Sequence, residues 1–63
     1  MIYRCYLLDA TDCIREREHF HAEHDAEATE RAREFLFETG HVAAELWVSS
    51  RLVARLNKEG KPV

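Results

Sequence analysis

The chain has 63 residues, 33% of them charged, with a net charge of −3, and no apolar run approaches the roughly 20 residues that a membrane-crossing helix needs. At this length there is one domain, able to bury only about 60% of the surface its unfolded chain exposes. Its two cysteines, Cys5 and Cys13, are too few for a disulfide framework, and Met1 leads straight into a strand-like run containing Arg4, so the setting is read as the reducing cytoplasm.

Ile2 to Leu8, IYRCYLL, is rich in β-formers and too short for a helix, and it reads as the first strand. Asp9, Thr11 and Asp12 then supply turn chemistry, because short polar side chains bond neighbouring backbone groups. The return strand, Ile14 to about Ala22, alternates Arg15, Arg17, His19 and His21 on one side with Ile14, Glu16, Glu18 and Phe20 on the other. Charge on both sides suits a sheet edge, where it discourages pairing with another chain.

Asp25 to Thr39 reads as an amphipathic helix. Ala28, Ala32, Phe35 and Leu36 form one apolar stripe, Asp25 is placed as the N-cap, and Gly40 supplies the left-handed residue that ends helices. Phe37 lies about half a turn from that stripe, either tucked under the Gly40 loop or exposed. Val42 to Val48 forms a third strand with Ala44, Leu46 and Val48 on one side and Glu45 and Trp47 on the other. Ser49 and Ser50 turn the chain into a fourth, with Leu52, Ala54 and Leu56 inward and Arg51, Val53 and Arg55 outward. Residues 58–63, with Gly60 and Pro62 and no periodicity, read as a flexible tail after a domain spanning 1–57.

The element order is ββαββ, and the simplest architecture is an α+β two-layer sandwich. One helix, about 25–39, covers one face of a four-stranded antiparallel sheet of order 2-1-3-4. An order of 2-1-4-3 with a parallel central pair buries nearly the same residues and stays open. Charge is unevenly placed: residues 23–39 carry six carboxylates against Arg31 and Arg33, whereas residues 40–63 carry Arg51, Arg55, Lys58 and Lys61 against Glu45 and Glu59.

Tyr6-Leu7-Leu8-Asp9, Ala22 followed by Asp25, Glu27-Ala28 and Ala32, and Glu45-Leu46-Trp47 with Arg51, Val53, Ala54, Arg55 and Leu56 cover nearly the whole chain. On these residues it resembles a group of short, uncharacterised bacterial proteins of about this length. The resemblance implies a free-standing domain and carries over no activity, cofactor or catalytic residue.

A single helix leaves the other sheet face bare, and the residues assigned to contact there are Tyr6, Leu8, Trp47 and Val53 with Arg15, Arg17, Arg51 and Arg55. Aromatic and apolar groups rimmed with charge mark an interface, so the chain reads as a small interaction or regulatory module. It is expected to self-associate as a homodimer through this face or an edge strand, or to take another, unidentified protein. The sharper alternative is a single-stranded nucleic-acid platform, with bases stacked on Tyr6 and Trp47, but the acidic balance weighs against it. His19 and His21 point the same way on a strand, so they make weak candidates for holding one metal ion with His24. No nucleophile–base pair or phosphate-cradling glycine loop is present, so no enzymatic activity and no cofactor is assigned.

Overall fold

Along the chain, all of whose residues 1–63 the computed structural model describes, run β1 (Ile2–Leu8), β2 (Ile14–His21), α1 (Asp25–Thr39), β3 (Ala43–Val48) and β4 (Arg51–Leu56). They form one four-stranded sheet in the order β2-β1-β3-β4, each neighbour antiparallel, with the helix on one face. The parallel alternative is thereby excluded. The two most apolar strands are central: Tyr3, Cys5 and Leu7 of β1 lie opposite Val48, Leu46 and Ala44 of β3 and share the covered face. Ala28 and Ala32 are fully buried, and their small side chains let the helix backbone sit close to the sheet. Phe20, Leu36 and Leu56 complete the core, and Arg31 lies over the rings of Phe20 and Phe35 at 5.4 and 5.3 Å, closing its β2 side with a cation.

The helix begins one residue earlier in its capping than the sequence suggested. His24, not Asp25, is the N-cap: its backbone is extended and its Nδ1 accepts from the Glu27 N–H at 3.1 Å, while Glu27 accepts from the Glu23 N–H at 2.9 Å. This reciprocal arrangement satisfies two orphan donors and frees the Asp25 carboxylate for other partners. At the other end Gly40, with φ 72°, donates to the Leu36 carbonyl at 3.1 Å.

Two β-bulges shift the side-chain alternation. In β2, Leu7 lies opposite Glu16 but Leu8 opposite Ile14, so Arg15 is the extra residue. In β4, Leu46 lies opposite Ala54 but Trp47 opposite Leu52, so Val53 is extra. Each insertion reverses the faces of the residues on its turn side. Ile14 and Leu52, expected to face the helix, lie on the bare face instead. Arg51, expected on the bare face, reaches the first turn of the helix, where its guanidinium donates to Asp25 at 3.1 and 3.3 Å. The first bulge also sets Cys5 opposite Glu18; both cysteines are free, Cys5 buried and Cys13 exposed.

Residues 57–63, whose end was expected to be a flexible tail, fold back along β4. The Asn57 side chain accepts from the N–H groups of Glu59 and Lys61 at 3.0 Å, and the Val63 N–H donates to Arg55 at 2.9 Å, with Leu56 bridging to Pro62. Gly60 is buried against Arg33 and Phe37, and its carbonyl accepts from Arg33 Nε at 2.7 Å. Phe37 thus packs beside this turn rather than under the Gly40 loop, and remains 55% exposed.

Candidate interaction surface

On the bare face the register sets Tyr6 between Arg17 and Glu45, and Arg4 between His19 and Trp47. Between these side chains runs a shallow groove of about 370 Å³, lined by Arg4, Tyr6, Ile14, Glu45, Trp47 and Ser50. Ile2, Ile14 and Leu52 stand around it with 58%, 45% and 47% of their surface exposed. Three of the six large exposed apolar side chains of the molecule therefore belong to the face that the helix leaves open. Ile14 and Leu52 were missed by period-two reading, because nothing in their own identity signals the bulges beside them.

The polar groups of the groove are held rather than loose. Arg4 donates to the Tyr6 hydroxyl at 3.1 Å and to the Ser49 carbonyl. The Trp47 Nε1–H donates to Glu45 at 3.2 Å, Glu45 accepts from Arg55 at 2.6 Å, and Arg55 also donates to Asp12 at 2.7 Å. That chain of bonds runs from the middle of the sheet to the first turn. It locks the Trp47 ring in place and neutralises the only carboxylate of the groove. The Arg55 guanidinium is held even more firmly in its charged form, first by Asp12 and then by Glu45.

The residues assigned to contact are only partly brought together. Tyr6, Trp47 and Arg17 share the bare face, and Arg55 reaches it within the network above. Leu8 retains only 3% exposure, where the Asp12–Arg55 pair crosses this end of the sheet, so it is not a contact residue. Val53, as the bulged residue, packs against the core, and Arg51 lies on the helix side. Arg15 leaves the stripe to bind Asp9 at 2.8 Å.

Of the four arginines offered to phosphates, Arg15, Arg51 and Arg55 are thus paired with carboxylates, and Arg17 alone makes no ion pair. A nucleic-acid platform needs cations free to meet phosphate oxygens. His19 and His21 lie side by side on β2, but His24 is turned to its cap, and no three His, Cys, Asp or Glu side chains come together as a metal site. Glu16, on the helix side of β2, lies 2.8 Å from His41 Nε2.

Comparison of the chain with protein-family models, curated proteins and solved structures finds no match. The fold and this surface define a small α+β ββαββ domain, none of whose helices is long and apolar enough to cross a membrane.

Proposed function

We propose that the chain is a small protein-interaction module that self-associates through the bare sheet face, with a homodimer as the smallest product, and that it works by binding rather than catalysis. Its two unpaired cysteines suit the cytoplasm as its setting. One observation carries the reading: Ile14 on the wall of the Tyr6–Trp47 groove, Leu52 opposite Trp47, and Ile2 at the far end of β1 are all exposed on a face that no element covers. Burying such groups favours association, at about 25 cal/mol per Å² of apolar surface removed from water.

The bare face is favoured over an edge strand by the charges along β2. Two copies of a strand related by a two-fold axis must set one residue directly opposite itself. Registers centred on Glu16, Arg17 or Glu18 then oppose glutamate with glutamate or cation with cation along the pairing, which is unfavourable. At the other edge, Pro62 and Val63 already occupy part of β4.

Light scattering over a micromolar concentration series tests the proposal. A mass above that of one chain, lowered by Trp47→Ala, is the expected result; a strictly monomeric species indifferent to that substitution removes it.

A further inference from the structure

The bare face and the helix exterior differ in charge. Arg4 and Arg17 on the bare face have no carboxylate partner, and its only groove carboxylate, Glu45, is neutralised by Arg55. On the helix, Asp25 is paired with Arg51 and Glu30 with Arg33, and Glu27 accepts from the Glu23 N–H, which leaves Glu38 without an ion pair and Glu34 in a loose one; Lys58 and Lys61 lie in the docked turn nearby. Packing two bare faces together brings the unpaired Arg4 and Arg17 of both copies into one interface and leaves both helices outside. Packing a bare face on a helix exterior sets opposite charges together.

The helix exterior also carries an apolar knob. Phe37 lies on the side of the helix away from Ala28 and Ala32, touches Gly60, and leaves 55% of its surface in water. Glu34 stands one turn before it, 66% exposed and 3.7 Å from Arg31 in a loose pair that a guanidinium in closer contact can replace. The open groove of about 370 Å³ across the sheet offers aromatic walls, Tyr6 and Trp47, with room for more than one ring and the Arg4 guanidinium beside them.

We propose that self-association is head-to-tail: Phe37 of one copy seats in the Tyr6–Trp47 groove of the next, with Glu34 facing Arg4 and Arg17. The inference rests on the self-association proposed above and specifies its second surface. A contact between two different patches leaves a free knob at one end and a free groove at the other, so assembly continues past two copies into rings or open chains.

The experiment mixes two variants, each keeping one half of the contact. Phe37→Ala retains the groove and Trp47→Ala retains the knob; sedimentation velocity is run on each alone and on the equimolar mixture, with circular dichroism confirming the fold of both. Each variant alone is expected to associate at least tenfold more weakly than the unaltered chain, while the mixture forms a one-to-one dimer that grows no further. If Trp47→Ala unfolds, Ile14→Arg, at an exposed position on the groove wall, takes its place. A mixture that stays monomeric while the unaltered chain assembles, or a Phe37→Ala variant that assembles unimpaired, overturns the head-to-tail contact but leaves self-association standing. An unaltered chain that never assembles overturns both.

Discussion

The Tyr3 hydroxyl donates to the Asp25 carboxylate at 2.8 Å, joining the fully buried side chain of the first strand to the first turn of the helix. Arg51 donates to both oxygens of the same carboxylate, so one acidic residue ties together β1, β4 and the helix start. Tyr3→Phe keeps the ring in the core and deletes only the hydroxyl. Loss of this part-buried bond, about 1 kcal/mol, is expected to lower the thermal midpoint by roughly 4–8 °C in a domain of this size. A calorimetric scan checks it, and an unchanged midpoint would mean that this bond adds no stability.

Acid should act through two carboxylates. Asp25 is held below the ordinary carboxylate range, chiefly by hydrogen bonding from Arg51 and then from Tyr3. Asp9 is held lower still, chiefly by the Thr11 hydroxyl, then by the backbone N–H groups of Cys13 and Thr11, with Arg15 adding less. A carboxylate whose pKa is depressed on folding stabilises the fold above its unfolded value, and that contribution is lost as pH falls through the lower folded value. The urea midpoint should therefore fall from about pH 4 downward. An Asp9→Asn, Asp25→Asn double variant should be weaker at pH 7 and lose less on acidification; equal losses in both proteins would contradict this account.

The two thiols should separate cleanly by reactivity. Burial, with a smaller contribution from the Glu18 charge opposite, pushes the Cys5 thiol up to about 12, while Cys13 is exposed at the first turn. Thiolate is the reactive form. A disulfide reagent at pH 8 should therefore modify one cysteine per native chain, lost in Cys13→Ser, and both only after denaturation. Rapid reaction at Cys5 in the native protein would count against the buried β1 position.

The helix bounds were legible, and so was most of the core, because Tyr3, Cys5, Leu7, Ala44, Leu46 and Val48 alternate without interruption on the two central strands; between the orders 2-1-3-4 and 2-1-4-3, which bury nearly the same residues, only the structure decides. The candidate surface was less legible. A bulge adds a residue without any composition of its own, so parity carried past Arg15 and Val53 put Ile14, Leu52 and Arg51 on the wrong faces. His24 and Asp25 are adjacent residues that can each accept from a first-turn N–H, and only the backbone decided between them. The docked tail depends on contacts of Gly60 with Arg33 and Phe37, 27 and 23 positions earlier, beyond the reach of local pattern.

Two glycines in the same backbone region should respond differently to one methyl group. Gly40 has φ 72° and nothing within 4 Å of where a Cβ would stand, so Gly40→Ala meets only the left-handed backbone preference and should cost about 1–2 kcal/mol of global stability. Gly60 has φ 79°, and a Cβ there would lie 2.7 Å from Phe37 Cζ and 2.9 Å from Arg33 Cγ. Both neighbours are side chains on the helix exterior, and the turn between Asn57 and Lys61 lies outside the main core cluster. The turn can therefore detach without opening the sheet. Gly60→Ala should raise amide exchange at Asn57, whose N–H donates to Lys61 across the turn, and at Val63, whose N–H docks the segment on Arg55 of β4, while exchange at Cys5 and Leu46 stays slow. Uniform acceleration across all four amides would mean instead that the C-terminal turn unfolds only together with the rest of the domain.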